Sequence, residues 1–439
     1  MSQEEVRCGR QEPILAGRRC PALGYRSLTL RRVIRGRDFV LLSSTQWDEV
    51  WEANHEIATR LAAAGNRVLY VEHMGFRAPS LTKIGRVVSY GARRVRSIGS
   101  HGVREVAERL WVCTPIVLPP FGSGLRRFVN RRLFLPLVDA SRRRLGLRDP
   151  IIVSWVPTDS ALRLVERMRG GRSLLVGYWV ADYRHLVSDP ERLRESEERL
   201  LGEADLVIVP TQPLADWCSR WSGNVVLLPH GVSASAFAGA GEEGDPPPEL
   251  RSLRRPIVGY VGGLHSAVDY ELLSEAIART PDWSWVFVGP VRDPRASLPS
   301  APNVHRLGWR PHEGINEYVR AFDVCIIPYR EEESTEAVLP TKLYESLAAG
   351  RPVVSTRLPA VEAIRRQLPV FLTAEASPGP FVEAIATALA PGNGPAEELR
   401  RRRFAARSDW SVWMEELSEL LLTAQARRAD RGGRAAASG

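Results

Sequence analysis

Two series of short apolar runs, separated by longer stretches of helical periodicity, most constrain the fold of this chain. The first series comprises Asp38 to Ser43, Arg67 to Val71, Pro150 to Trp155, Leu174 to Trp179, Leu206 to Pro210 and Val225 to Leu228. The second comprises Pro256 to Val261, Ser284 to Val288, Val304 to Leu307, Val324 to Pro328, Pro352 to Ser355 and Val370 to Leu372. Buried strands that alternate with helices are typical of parallel sheets covered on both faces. The sequence therefore predicts an α/β protein with two Rossmann-like domains.

The segments between and beyond the two series predict the domain boundaries. A stretch rich in Gly, Pro and charge separates them, which is the composition of a linker. Trp410, Trp413, Leu417 and Leu421 recur at spacings of three and four, so this last segment is expected to pack one face on a core. The predicted organisation is a poorly ordered leader (1–35), a first domain (36–238), a linker (239–253), a second domain (254–400), a helix crossing back to the first domain (401–422) and a disordered tail (423–439).

The composition excludes several classes of protein. With 44% hydrophobic and 25% charged residues, the chain matches ordinary globular proteins. No apolar run is long enough for a membrane-spanning helix or a signal peptide. The five cysteines are widely spaced, which favours a reducing compartment. Of the 60 basic residues only Lys83 and Lys342 are lysine, so these two positions are more informative than any single arginine.

The segment from Val324 to Ser355 predicts a site for an anion. An apolar strand leads into an acidic loop, and Pro340 then opens a helix that carries Lys342 and Glu345. A helix N-terminus at the carboxyl end of a parallel strand presents free N–H groups to a phosphate, and proline suits its first position. Two interpretations of the side chains stay open. They could form an i,i+3 ion pair, or the lysine could meet a phosphate while the carboxylate accepts hydrogen bonds from ribose hydroxyls.

A glycine turn after the first strand of the second series is the other candidate. Gly262 and Gly263 would let a phosphate approach the backbone without an intervening side chain. His265 and Asp269 could reach the same space. Paired glycines are also ordinary turn chemistry, so the signal is weak by itself.

Several motifs together resemble one enzyme family. VGYVGG, PDWSWVFVGP, NVHRLGW, FDVCIIPY and LPTKLYESLAAGRPVVST look like the donor-binding half of the retaining glycosyltransferases of the GT-B fold. In the first half, WEANHEIATRLAAAGNRVLYVE, LLVGYWVADY, ADLVIVPTQPLADW and VVLLPHGV resemble the branch that makes teichuronic acid and capsular polysaccharide. The resemblance covers residues 38 to 422 and is more specific in the second half.

The resemblance implies transfer of a sugar from a nucleotide diphosphate sugar, held by the second domain, to an acceptor on the first. Glu345 corresponds to the second glutamate of the family's E-X7-E motif, which holds the ribose, and Lys342 faces the diphosphate. Gly262 and Gly263 occupy the phosphate turn, with His265 and Asp269 nearby. The other residues placed in the donor site are Trp309 and Arg310 beside the nucleobase, and Glu336, Val338, Leu339, Pro340 and Thr341 at the helix start.

Three positions depart from the family pattern. Ala337 stands where the first glutamate of E-X7-E is expected, and Glu336 lies one residue early. Gly263 stands where many relatives carry an arginine for the diphosphate. In the first domain only Asp182 matches a paired-aspartate strand end, and it joins Lys342 and Glu345 as a catalytic candidate. The sequence has no Asp-X-Asp motif, so neither a metal ion nor another cofactor is expected.

Candidate acceptor residues follow the first two strands of the first domain. They are Trp47, Trp51, His73 and Arg77. Aromatic rings stack on sugars, although packing in a core is the commoner role of tryptophan.

A basic region, residues 77–148, concentrates the positive charge. It carries 16 basic and three acidic residues, so its charge of +13 exceeds the +9 of the whole chain. Arginines that alternate with apolar residues indicate basic amphipathic helices on an anionic leaflet. A solvated helix face and a nucleic-acid surface are the alternatives, but the absence of any nucleic-acid-binding motif argues against the second.

The sequence therefore predicts a cytoplasmic glycosyltransferase, peripheral on the inner face of the plasma membrane, that acts on a lipid-linked or polysaccharide acceptor. A nucleotide-sugar 2-epimerase with the same two-domain fold is an alternative, although the cleft carboxylates and histidines that it needs are not apparent. A catalytically inactive nucleotide-sugar-binding module is the third interpretation, favoured by Ala181 and Ala337.

Overall fold

The structure is a computed structural model of the chain. It describes residues 32–48, 51–72, 102–115, 117–118, 124–187, 189–239, 245–293, 296–367 and 369–437.

The first domain is built on a sheet that has eight strands within the described residues, in the order β3-β4-β2-β1-β5-β6-β7-β8. Its strands are β1 Asp38–Leu42, β2 Arg67–Val71, β3 Val103–Ala107, β4 Leu110–Cys113, β5 Ile151–Ser154, β6 Leu174–Tyr178, β7 Leu206–Val209 and β8 Val225–Leu227. All six strands of the first predicted series are confirmed. β3 and β4 were not predicted. The charged, half-exposed sequence VREVA of β3 lacks the apolar run of a buried strand, and the apolar run LWVC of β4 is only four residues long.

The helices of the first domain connect strands that are parallel except for β3, which pairs antiparallel with β4. They are α1 Ala53–Ala63, α2, α3 Asp159–Met168, α4 Pro190–Glu203 and α5 Gln212–Cys218. Helix α6, Ala234–Ala238, follows the last strand of this sheet and buries Phe237 in the core of the second domain, although the sequence places it in the first. Helix α2 is continuous through Gly124–Val129, a π-helical turn at Asn130–Phe134, and Leu135–Arg144. The N-termini of α3 and α4 are capped by Thr158 and Asp189, whose side chains accept backbone N–H bonds.

The second domain has a fully parallel sheet of six strands within the described residues, in the order β11-β10-β9-β12-β13-β14. Its strands are β9 Ile257–Val261, β10 Ser284–Val288, β11 Val304–Gly308, β12 Val324–Ile327, β13 Val353–Thr356 and β14 Leu372–Ala374. Its helices are α7 Tyr270–Arg279, α8 Ile315–Ala321, α9 Glu333–Glu336, α10 Thr341–Ala348, α11 Pro359–Gln367 and α12 Pro378–Leu389. The strands match the second predicted series, which confirms two Rossmann-like domains.

The strand order of the second sheet reverses at β9. The chain runs from β9 outward to β10 and β11, and then returns to β12 on the other side of β9. β9 and β12 pair only near their starts, through Val258 with Val324 and Gly259 with Cys325. Ligands of open α/β sheets bind at the carboxyl ends of strands where the order reverses. The segments that follow β9 and β12 therefore form the expected ligand site of this domain.

The C-terminal region returns to the first domain, as predicted, but as two helices, α13 Pro395–Ala406 and α14 Trp410–Ala437. Helix α13 packs on the second domain, where Phe404 stacks on Tyr344 of α10. Helix α14 buries Trp413 and Leu417 in the core of the first domain, and the indole N–H of Trp413 donates to the Pro229 carbonyl over 2.8 Å.

Two predicted boundaries differ from the structure. Helix α14 continues to Ala437, so the prediction of disorder from residue 423 is wrong for residues 423–437. The predicted linker also extends too far, because Leu250, in a 3₁₀ turn over Pro248–Leu250, is buried in the core of the second domain. No helix in the described parts of the chain combines the length and apolar character needed to cross a membrane.

Candidate functional site

The two segments predicted to bind phosphate meet at the reversal point of the second sheet. Gly262 follows β9 directly with φ +138°, a conformation that favours glycine, and its N–H donates to the Val288 carbonyl over 2.8 Å. A side chain at this position would place its Cβ 3.2 Å from Nζ of Lys342, in the first turn of α10. The structure thus brings together the glycine turn and the lysine, which are separated by 80 residues in the sequence.

Two tyrosines hold the Lys342 ammonium group in this position. It donates to the hydroxyl of Tyr329 and, over 3.4 Å, to that of Tyr260. Nζ also lies 4.7 Å from the ring centroid of Tyr329 and 4.8 Å from that of Tyr260, which are cation–π distances. Among the described residues no carboxylate forms an ion pair with Lys342, so the predicted alternative of a Lys342–Glu345 pair is wrong. Its partners are neutral, which leaves the positive charge available to an anion.

His265 lies beside the same tyrosine. Its Nε2 is 3.2 Å from the Tyr329 hydroxyl. Burial, together with the charges of Lys342 and Arg292, lowers the pKa of His265 to about 4, so the imidazole is neutral near pH 7. Asp269, the other predicted neighbour, instead caps α7 by accepting the Leu272 N–H over 2.9 Å.

The loop before α10 divides its residues between the two domains. Glu336 and Thr341 are exposed, whereas Leu339 and Pro340 are buried and Val338 is half-buried. Ala337 is buried against the core of the first domain, and its carbonyl accepts a 3.2 Å hydrogen bond from the Thr211 hydroxyl. The departure from E-X7-E at Ala337 therefore has a structural reason, since this position packs between the domains.

Glu345 lies one turn after Lys342 on α10 and is half-buried. Burial raises the pKa of its carboxyl group, while the charges of His312 and Lys342 oppose that shift. The side chain remains a candidate for binding ribose. A ribose hydroxyl can donate a hydrogen bond to a carboxylate, and it can also accept one from a protonated carboxyl group.

The two residues predicted beside the nucleobase differ in availability. Trp309 is 53% exposed after β11, so its ring is free to stack. The Arg310 guanidinium is already engaged, because it donates to the Glu249 carboxylate over 2.9 Å and to the Tyr318 hydroxyl over 3.0 Å. Arg310 therefore fixes the loop that presents Trp309.

On the first domain, Asp182 accepts hydrogen bonds from the backbone N–H and the guanidinium of Arg184. The Arg184 guanidinium lies 4.0 Å from the ring centroid of Trp217 and is near enough to Glu333 of the second domain for their charges to interact. Asp182 thus lies at the cleft between the domains, and a catalytic role for it stays a prediction.

Two of the acceptor candidates, Trp47 and Trp51, lie together, with ring centroids 5.9 Å apart. Trp47 is buried against Tyr70 and His55, as expected of a core tryptophan. Trp51 is half-buried and its indole donates to Glu56 over 2.9 Å. His73 and Arg77 lie outside the described residues.

Sequence reasoning missed Tyr260 and Tyr329. Tyr260 lies within an apolar strand and Tyr329 just after another, where an aromatic residue is normally assigned to a core. Only the meeting of the two strand ends shows that their hydroxyls hold one lysine.

Residues 255–391 match the family model of the glycosyl transferases group 1. The match covers most of the second domain. It begins just before β9 and ends after α12, so the matched region contains the glycine turn, Trp309 and α10.

A curated relative of similar sequence is TuaH of Bacillus subtilis strain 168, which is assigned to teichuronic acid biosynthesis as a glycosyltransferase. The two are 28% identical over 165 residues, which are 37% of this chain and 42% of TuaH. The chain thus spans less than half the length of this curated relative.

Solved structures of similar fold cover both domains of this chain. Sucrose-phosphate synthase of Thermosynechococcus elongatus has a TM-score of 0.65 at 18% identity, over 89% of this chain and 100% of that one. HepE of Anabaena, in complex with UDP and glucose, has a TM-score of 0.58 at 15% identity, over 88% and 99%. These likenesses confirm the predicted GT-B fold.

Proposed function

We propose that the protein transfers a sugar from a nucleotide diphosphate sugar to a lipid-linked or polysaccharide acceptor, with retention of configuration. The observation that carries this proposal is Lys342, which lies against the Gly262 turn at the reversal point of a group 1 domain and has only neutral partners among the described residues.

The donor would lie across this site. Lys342 and the N-terminus of α10 would face the diphosphate, Glu345 the ribose and Trp309 the base. Negative charge grows on the diphosphate as the glycosidic bond breaks, so a preorganised cation and free N–H groups stabilise the transition state more than the ground state. The remaining task is to hold the acceptor near the anomeric carbon. We propose that this needs no metal ion.

One assay separates transfer from the two alternatives. The protein is incubated with UDP-, GDP- and dTDP-sugars and a membrane lipid extract, and nucleotide release is followed. Release that depends on the extract supports transfer. A changed sugar without release supports the epimerase, and binding without either supports an inactive module. HepE was solved with UDP, so UDP-sugars are tested first.

We further propose that α2 docks the protein on an anionic membrane, from the cytoplasmic side. Leu125, Phe128, Leu133 and Leu137 are all exposed on α2, Leu125 by 72%. The spacing of five between Phe128 and Leu133 spans the π-helical turn, which absorbs one extra residue and keeps the four side chains on one face.

The positive charge of α2 also suits an anionic membrane. Arg126, Arg131 and Arg132 are exposed on this helix, and each arginine near an anionic surface adds about 1 kcal/mol of attraction. On the opposite face, Asn130 anchors α2 through hydrogen bonds of 2.7 and 2.9 Å with the Leu118 backbone. Apolar groups flanked by arginine are the composition of a helix that lies in a lipid interface.

Sedimentation with liposomes tests the docking proposal. Wild type should sediment with anionic vesicles at low salt, and Phe128→Asp with Leu133→Asp should abolish this. Leu399→Asp is the matched control, since Leu399 is also exposed (47%) but lies on α13. If wild type stays in the supernatant, or if the control fails equally, α2 is not a membrane-binding surface.

A further inference from the structure

Gly263 lacks the arginine that the family resemblance leads one to expect, but an arginine side chain from another loop fills that place. Arg292 follows β10, and its side chain lies over Gly263. A Cβ atom built on Gly263 would be 3.0 Å from Cδ of Arg292 and 3.2 Å from its Nε. The guanidinium group of Arg292 thus begins 3.2 Å from the point where a side chain at position 263 would begin.

Backbone contacts fix the Arg292 loop to the glycine turn. The N–H of Arg292 donates to the Leu264 carbonyl over 2.8 Å, and Val291 forms a parallel bridge with Leu264. The next residue, Asp293, donates its N–H to the same carbonyl over 3.0 Å. Arg292 is therefore held in register with Gly263 by the structure that shapes the turn.

The surroundings of Arg292 are suited to an anion. Its side chain is exposed, while the neighbouring Asp293 is buried. Its positive charge reaches the turn, because it helps to lower the pKa of His265. Lys342 lies against Gly262 and Arg292 against Gly263, so two cations flank two adjacent residues whose α-carbons are about 3.8 Å apart.

We infer that Arg292 binds the donor diphosphate together with Lys342, and that it supplies from the β10 loop the guanidinium that relatives place at position 263. This inference rests on the proposed function, because it assigns a residue to the same donor site. Arginine is suited to this role since its planar fork can bind two phosphate oxygens at once.

Binding measurements with UDP, GDP and dTDP, and with the matching monophosphates, test the role of Arg292. We expect Arg292→Ala to weaken the tightest diphosphate at least tenfold, roughly the effect of one charged hydrogen bond, and to change the monophosphate less. Arg254→Ala is the matched control. It removes an exposed arginine from the same domain, but Arg254 precedes β9 and so lies at the opposite end of the strand, paired with Asp282 over 2.6 Å.

The outcomes separate this inference from the proposed function. Tight diphosphate binding by wild type and equally by Arg292→Ala would overturn the role of Arg292 and leave the proposed function standing. Equal losses for diphosphate and monophosphate would also overturn it, since a disturbed fold would weaken both. If wild type binds no diphosphate, both the role of Arg292 and the proposed function are contradicted.

Moving the arginine gives a second test. The backbone at Gly263 lies outside the left-handed region, so a side chain is tolerated there once the Arg292 side chain is removed. We expect Gly263→Arg combined with Arg292→Ala to bind the diphosphate more tightly than Arg292→Ala alone. A double variant as weak as the single one, with an unchanged melting temperature, would contradict the inference.

Discussion

The two sides of the cleft treat their charged groups differently. On the second domain, Lys342 is held by tyrosine hydroxyls and no carboxylate of the described residues neutralises it. On the first domain, Asp182 is paired with Arg184, and Glu72 accepts hydrogen bonds from Thr114 and from the backbone of Trp47. The proposed donor side thus presents a cation without an anionic partner among the described residues, whereas these carboxylates on the proposed acceptor side are satisfied within the fold.

This difference explains why the donor is easier to infer than the acceptor. A cation without an anionic partner indicates the charge of its ligand. Carboxylates that are already bonded indicate nothing about a sugar or a lipid, and part of the acceptor side, including His73 and Arg77, lies outside the described residues.

The largest effect is expected from Ala337→Glu, which restores the missing glutamate of E-X7-E and places a carboxylate between the two domains. The carboxylate would enter the apolar contact between Ala337 and the first domain, so we expect a loss of about 3 kcal/mol or more in unfolding free energy. Urea denaturation measures it, with Glu336→Ala at the exposed neighbouring position as control. A stable Ala337→Glu protein with tighter donor binding would place residue 337 in the donor site.

Glu197 tests whether the first-domain carboxylates are structural. It is buried and accepts the indole N–H of Trp179 over 2.7 Å. Burial raises its pKa from 4.5 to about 7. Because the folded protein holds this proton more tightly than the unfolded chain does, protonation of Glu197 stabilises the fold below pH 4.5. This contribution, up to about 3 kcal/mol, is lost as the pH rises through 7.

Unfolding free energies of Glu197→Gln, measured at pH 5 and pH 8, check this expectation. The variant should lose less stability than wild type over this range. Glu198→Gln, on the same helix but paired with Arg194 near the surface, should behave as wild type. Identical pH profiles for Glu197→Gln and wild type would show that Glu197 is not protonated in the fold.

On the donor side, Lys342→Met removes the charge but keeps the apolar stem. Loss of a charged hydrogen bond to phosphate costs about 1.5–3 kcal/mol, so diphosphate affinity should fall about ten- to a hundredfold.

Glu345→Ala is expected to reduce donor binding or turnover at least tenfold as well, in line with one charged hydrogen bond to ribose. Calorimetric titration measures both. Wild-type affinity and turnover in both variants would exclude this site.

The smallest effect is expected from Tyr329→Phe, which leaves the ring but removes the hydroxyl that holds Lys342 and contacts His265. This hydroxyl positions the lysine but does not itself bind the phosphate, so the loss should be smaller than for Lys342→Met, and we expect diphosphate affinity to fall roughly three- to tenfold. Tyr344→Phe removes a hydroxyl from the other side of α10, where the ring stacks on Phe404, and should have no effect. Equal affinities of both variants would mean that the tyrosines do not position the lysine.

The sequence predicts the strands of both domains well, because parallel strands buried on two faces must be continuous apolar runs. The family resemblance also implies that Gly262 and Lys342 meet, since it places both residues at the donor diphosphate. The sequence does not predict β3, because the charged residues of this strand interrupt any apolar run. It also does not predict the π-helical turn of α2. The partners of Lys342 and the position of Arg292 depend on how loops from different strands meet.

A structure of the protein with the tightest-binding nucleoside diphosphate would test the donor site most directly. We predict a phosphate oxygen within hydrogen-bond distance of Lys342 Nζ, over the turn formed by Gly262 and Gly263, with the base on the Trp309 side. A nucleotide bound elsewhere, or one whose phosphates point away from Lys342, would contradict the proposed donor site.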